Sequence, residues 1–228
     1  LHKPVALHAL SILAKSNLPI AYFNTDPRPC YAINNFAYCL PCANITELTE
    51  ANTGYQLMAG KLLKQYLQSV KLEQDTASRQ YKLLIPIQQL TEKRASFILQ
   101  YAVQDDVICW GPGNGLLDSA TNGAICKSTV KLIANLANSS GSLMLLTPEH
   151  ITNGMLFTMR FWQILLSECH MLIPSAYAGL YYSEPSNMLV TYSAEQTHAM
   201  LELWQNSFAY RQAIKQIQRD WCDALLGL

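Results

Sequence analysis

The chain has 228 residues, half of them apolar and 14 % charged, with Lys+Arg equal to Asp+Glu at 16 each. This composition excludes a disordered chain, which combines low apolar content with high net charge. It also lacks the basic excess on which phosphate-dominated nucleic-acid binding rests.

Pro4 suits the first turn of a helix, and Ala6, Leu10 and Leu13 follow at helical spacing before Asn17. Ile20 to Asn24 reads as a short strand, Thr25 to Pro29 as a turn fixed by two prolines, and Cys30 to Asn34 as a second strand. From Tyr55 the residues Met58, Leu62, Tyr66 and Val70 form the stripe of an amphipathic helix running to about Gln74. Alternation follows. Tyr81, Leu83, Ile85 and Ile87 point one way, Thr91 to Arg94 turns, and Phe97, Leu99, Tyr101 and Val103 answer from the next strand. Asp105-Asp106 turns again, and Val107 to Trp110 predicts a third strand. Pro86 cannot donate to a ladder, which places its strand at an edge or a bulge.

In the second half, Ile125, Thr129, Leu132, Ile133 and Leu136 line a helix ending in Asn-Ser-Ser-Gly, and Leu143 to Leu146 reads as a buried strand. Thr147-Pro148-Glu149 is a helix start, with a capping hydroxyl, a first-turn proline and an acid near the positive end of the dipole. That helix extends through Ile151, Met155, Met159, Trp162 and Leu166. A hairpin is expected from Tyr177 to Tyr182 and Met188 to Tyr192. The last helix opens on a Ser193/Gln196 capping box. Met200, Leu203, Ser207, Tyr210, Ile214, Ile217, Trp221 and Ala224 or Leu225 then recur at spacings of three and four, a heptad seam. Leu201, Trp204 and Phe208 add a second apolar face to its first half only. Two readings follow: a long core helix, or a helix whose C-terminal half (Tyr210, Ile214, Ile217, Trp221, Leu225) pairs with a copy or a partner.

Each candidate for chemistry stands beside a plainer reading. Cys39-Leu40-Pro41-Cys42 resembles the redox motif of thioredoxin-like proteins, which implies an exchange-active thiol pair. No parallel-sheet pattern follows it, and two buried thiols explain it equally. Cys30, Cys39 and Cys42 offer three thiols to a metal, but a tetrahedral zinc site needs a fourth ligand. Gly111-Pro112-Gly113-Asn114-Gly115 suits backbone approach to a phosphate, yet it is neither a G-x-G-x-x-G nor a P-loop, and Gly123 to Thr129 lacks the glycine before Lys127. Cys169 and His170 are neighbours in sequence, which splays their side chains apart, and His150 reads as a first-turn helix residue. No G-x-S-x-G occurs, and the acids are too dispersed to nominate a pair. Seven cysteines of mixed spacing read as reduced thiols in a cytosol. No window of about 18 uninterrupted apolar residues predicts a membrane span. No signal peptide opens the chain, and the absence of an initial Met leaves a fragment open.

The order of elements through residue 110 resembles a PAS domain, with Leu18 to Asn24 and Tyr31 to Asn35 as its opening hairpin. The resemblance implies a small-ligand sensor and carries over no flavin-binding Cys motif and no haem-binding His. The expectation is therefore a single α+β unit over 1–228, an antiparallel sheet packed with helices, with a sub-boundary at 111–115 between a sheet-rich and a helix-rich part. The function expected is a non-enzymatic cytoplasmic subunit or adaptor, oligomeric and protein-binding, for instance in a bacterial secretion machine. It would have no cofactor, metal, nucleic acid or membrane insertion. A PAS-like sensor, and an enzyme whose site does not show in sequence, are the alternatives.

Overall fold

A computed structural model describes residues 57, 60–68, 79–87, 90–110, 129–152 and 156–228. Five strands form one sheet: β1 Tyr81–Pro86, β2 Val107–Trp110, β3 Ser139–Leu143, β4 His170–Pro174 and β5 Val190–Thr191. Their order is β2-β1-β3-β4-β5 and every pairing is parallel, with Leu83 opposite Val107 and Gly141, Gly141 opposite His170, and Ile173 opposite Val190. Parallel strands cannot be joined by tight hairpins, because the chain must cross back before each new strand. Helices supply most of these returns: α1 (60–68), α2 Glu92–Tyr101, α3 Thr129–Ala137, α4 Pro148–Thr152, α5 Met159–Leu165, α6 Ser175–Ala178, α7 Ala194–Asn206 and α8 Phe208–Leu226.

The helices cover both faces. Leu83, Ile85, Val107, Leu143 and Leu172 pack with Ala95 and Ile98 of α2 and Met200 and Leu201 of α7. The opposite layer joins Leu84, Met144, Met171 and Ile173 to Leu63, Leu132, Ile133, Phe161, Trp162, Ile214, Trp221 and Leu225. A sheet buried on both sides carries continuous apolar runs, not alternation. Leu83, Leu84 and Ile85 are such a run, all buried.

This all-parallel α/β arrangement corrects the expected antiparallel α+β sheet, and with it the PAS-like reading of residues 81–110. The predicted strand Phe97–Val103 lies mostly in α2. Ala95, Ile98 and Tyr101 recur every three residues and are buried, whereas Leu99 and Val103 are exposed. Thr91, expected in a turn, caps that helix by accepting the Arg94 N–H at 3.3 Å. The Asn-Ser-Ser-Gly that was to end a helix leads into the buried strand β3. The hairpin expected over 177–192 is absent: α6 is followed by turns, and β5 lies parallel to β4. The helix from Pro148 splits into α4 and α5, the second capped by Thr158. The last helix splits at Ser207, which caps α8 by accepting the Tyr210 N–H. Residues 1–56, with the proposed opening hairpin, and Gly111 to Gly115 lie outside the described residues, but strands from both sides of that segment share one sheet.

Two tests follow. A Cβ on Gly141 would lie 2.6 Å from Leu201 Cδ2 and 3.0 Å from the His170 carbonyl oxygen. Gly141→Ala is therefore expected to cost about 1–3 kcal/mol, read as a lowered urea midpoint. His170 is fully buried; its Nε2–H donates to the Met188 carbonyl at 2.9 Å and its Nδ1 has no partner. Burial pushes its pKa down from 6.5 to about 4. The unfolded chain then binds the extra proton first as pH falls. The stability is complete above about 6.5 and declines toward pH 4, by about 3 kcal/mol in all. Urea midpoints measured across this window should fall in the native protein, and the His170 contribution to that slope should vanish in His170→Phe.

Candidate functional site

α2 leaves β1 over one face of the sheet, and α3 leads into β3 over the other. In a doubly wound sheet this reversal opens a crevice outside the carboxyl ends of the strands. Here it falls between β1 and β3. The β1 side consists of Ile87, Leu90, Thr91 and the first turn of α2; the β3 side runs from Met144 through Thr147 to His150.

The first turn of α2 holds Glu92, Lys93 and Arg94. Two cations at the positive end of a helix oppose its dipole, whereas an anion placed there would meet the dipole and both side chains together. Below this turn Phe97 stacks on Tyr177, with ring centres 5.4 Å apart, and tilts against Tyr101 at 5.2 Å. The Tyr177 hydroxyl donates to the Leu146 carbonyl at 3.4 Å. This aromatic floor joins α2, α6 and the end of β3. Burial, the largest influence, pushes the Tyr177 phenol up, so it stays protonated and can donate.

Thr147 and His150 cap each other. The His150 N–H donates to Thr147 Oγ1 at 3.2 Å, and the Thr147 N–H donates to His150 Nδ1 at 3.1 Å. This is a capping box with histidine in the place of the usual Glu or Gln. Because Nδ1 accepts, the pattern assigns the ring proton to Nε2. At β5, Ser193 accepts the Gln196 N–H at 3.2 Å and Gln196 Oε1 accepts the Tyr192 N–H at 2.8 Å. Thr191 Oγ1 donates to the Ser193 carbonyl and pairs with Thr197 Oγ1 at 2.6 Å. These bonds fix the start of α7 beyond the carboxyl end of β5, with Glu195 exposed in its first turn.

The opposite edge of the sheet is polar as well, but closed. Asp106 holds His198 Nδ1 at 2.5 Å and Lys82 Nζ at 3.0 Å, and Lys82 reaches Glu202 at 2.8 Å. Burial pulls the Lys82 pKa down, but Glu202 and Asp106 outweigh it and the net shift is upward. Lys82 thus remains the cation that ties α7 to β1.

The residues singled out from sequence fall elsewhere. Ile214, Trp221 and Leu225 are buried, and Tyr210 and Ile217 are half-buried against the same core. Cys30, Cys39, Cys42 and the glycines of 111–115 lie outside the described residues. Cys169 and His170 are not paired: Cys169 Sγ lies 3.2 Å from Ser167 Oγ, and His170 bonds Met188. Among the described residues no group of His, Cys, Asp and Glu could hold a metal ion. Sequence reading missed Arg94 and Tyr177. The signal for Arg94 was Thr91 followed by buried positions three apart; for Tyr177 there was none, since its role depends on where β4 ends.

No family model matches the chain, and no curated protein matches it in sequence. Among solved structures it is similar to β-glucosyltransferase, described as a DNA-modifying enzyme and solved in the presence and absence of its substrate uridine diphosphoglucose. The TM-score is 0.65 at 13 % identity, over 97 % of this chain and 74 % of that one. A second structure of the T4 phage enzyme, described in terms of substrate binding and a proposed catalytic mechanism, matches with the same figures. The T4 phage enzyme in complex with UDP-glucose matches at TM-score 0.58 and 10 % identity, over 81 % of this chain and 58 % of that one. At these identities the likeness shows the fold alone, an all-parallel α/β, Rossmann-like arrangement shared with that glycosyltransferase. The expectation of a non-enzymatic adaptor is corrected by this finding, since the structures that share the fold are those of an enzyme. No helix among the described residues is long and apolar enough to cross a membrane.

Burial raises the thiols of Cys109, Cys169 and Cys222 to about 11. At pH 8 only about one in a thousand would be thiolate. Iodoacetamide at that pH should leave all three unmodified in the folded protein and alkylate them in denaturant, as read by peptide mass spectrometry.

Proposed function

We propose that this chain binds a nucleoside-diphosphate sugar at the carboxyl edge of its sheet and transfers the sugar to an acceptor hydroxyl. The observation that carries the reading is the likeness to β-glucosyltransferase over 97 % of the chain, with a switch point whose β1 side carries Lys93 and Arg94 beside Glu92 at a helix start. In such a site the diphosphate lies against the start of α2, where Lys93, Arg94 and backbone N–H groups receive its charge. Glu195 stands at the end of β5, where a carboxylate can accept the hydroxyls of a ribose. In the transfer the bond from the anomeric carbon to the diphosphate oxygen breaks, and a bond to the acceptor oxygen forms. The acceptor releases its proton and the nucleoside diphosphate departs. Negative charge grows on the leaving diphosphate, so a preorganised cationic helix start favours the transition state over the ground state.

The test is calorimetric titration with UDP-glucose. The native chain should bind, and Arg94→Ala should weaken binding about tenfold or more, the loss expected for one charge-assisted hydrogen bond. His198→Ala, at the opposite edge, should bind as the native chain does. Equal weakening by both variants, or no binding at millimolar ligand, would overturn the proposal.

A further inference from the structure

We infer that Tyr177 is a positioning residue of the proposed donor site: its side chain spans the switch point and fixes Arg94 of α2 against the Leu146–Thr147 turn, before any ligand arrives. The inference rests on the donor-site reading above and adds the residue that sets its geometry.

Tyr177 belongs to α6, directly behind β4, so it reaches the reversal from a neighbouring strand. Its side chain is buried and touches both sides of the switch point. The ring lies on Phe97 of α2, with centres 5.4 Å and planes 23° apart, and the hydroxyl donates to the Leu146 carbonyl beyond β3 at 3.4 Å. A phenol is a rigid spacer, since only two torsions place it.

On a helix, residues three and four apart share a face. Arg94, Phe97 and Tyr101 therefore stand in one row, and Phe97 tilts against Tyr101 at 5.2 Å. Arg94 is half-buried on this row, whereas Lys93 is exposed. The Arg94 charge acts on the Tyr177 phenol, although burial is the stronger influence and keeps it protonated. The same ring thus meets the row that carries Arg94 and the turn that starts α4.

That turn has little slack. Thr147 follows Leu146, exchanges its capping bonds with His150, and accepts the Ile151 N–H on its carbonyl at 3.2 Å. A hold on Leu146 is therefore a hold on the start of α4. A cation strengthens ligand binding most when the fold has already ordered it, because the ordering is then not charged to the ligand.

The experiment is calorimetric titration of UDP-glucose into the native chain, Tyr177→Phe, Arg94→Ala and the double variant. Tyr182→Phe is the matched control, since that hydroxyl also donates to a backbone carbonyl, Leu225 in the last turn of α8, at 2.9 Å. Tyr177→Phe keeps the ring and its stack and removes only the hydroxyl. It should weaken binding about threefold to tenfold, the loss expected for one neutral hydrogen bond. In the Arg94→Ala background the same change should cost less than about twofold, because the two residues act as a unit. Tyr182→Phe should bind as the native chain does. Without ligand, the His150 and Ile151 amides should exchange hydrogen faster in Tyr177→Phe than in the native chain or Tyr182→Phe. A merely structural Tyr177 would lower the urea midpoint and leave affinity unchanged. No binding by the native chain at millimolar UDP-glucose would sink the donor-site reading and this inference with it. With native binding intact, unchanged affinity in Tyr177→Phe, equal losses in both backgrounds, equal weakening in Tyr182→Phe, or unchanged exchange would each overturn this inference alone.

Discussion

The approach of α7 to the central strand is the constraint on which the architecture rests. β3 is Ser139-Ser140-Gly141-Ser142-Leu143, buried throughout and bonded to β1 on one side and β4 on the other. Leu201 of α7 lies so close to Gly141 that a Cβ there would collide with it. Small side chains let the helix sink onto the sheet, but they leave polar atoms to satisfy in the interior. Ser139 Oγ donates to the Leu136 carbonyl at 2.7 Å, and Ser140 Oγ accepts from Gln205 at 3.0 Å. Beside Gly141, in register with it, stands His170, which fills the adjoining space by stacking on Trp204 of α7. A wider residue at position 141 would have to displace the end of the Leu201 side chain and crowd the His170 carbonyl, which loosens the seat of α7 on the sheet.

That constraint also explains where sequence reading failed. A strand made of Ser and Gly carries no apolar signal of its own, so Asn138 to Gly141 read as the end of a helix and a strand was expected only from Leu143 to Leu146, whereas it runs from Ser139 to Leu143. Its burial is imposed by tertiary contacts, against local propensity. Without β3 the remaining strands could not be placed in a parallel order. The runs 81–87 and 107–110 then suggested a meander, although the buried triplets Leu83-Leu84-Ile85 and Met171-Leu172-Ile173 already carried the mark of a sheet covered on both faces. Elements with local signals were legible. β1 and β2 lie where expected, the Thr147-Pro148 and Ser193 helix starts hold, and the spacing of residues 129–136 gave the core face of α3. The crevice was not legible, because its residues come from the ends of different elements and only topology brings them together.

The three-and-four spacing of the last helix shows how one pattern serves several structures. α8 uses Ile214, Trp221 and Leu225 to close the layer formed by α1, α3 and α5. Its polar residues support the same docking. Gln218 accepts the Met171 N–H at 2.8 Å and donates to the Cys169 carbonyl at 3.0 Å, while Arg211 reaches back to the last carbonyls of α7. A helix end needs such partners for its open carbonyls. The break at Ser207 therefore costs little: a hydroxyl caps the new helix and a guanidinium closes the old one.

Charge is divided between the two edges of the sheet. At the amino edge, Asp106 and Glu202 are bound to Lys82 and His198, so the acids there are consumed within the fold. At the carboxyl edge, Lys93 and Arg94 share the first turn of α2 with Glu92, so the acid that the helix dipole favours stands beside two cations that it opposes. On the proposed reading, an anion at the start of α2 would meet the dipole and the two basic side chains at once. Under that reading the two edges differ in availability: the acids at the amino edge are held by Lys82 and His198, whereas the turn at the carboxyl edge is where a diphosphate would add its own charge to the balance.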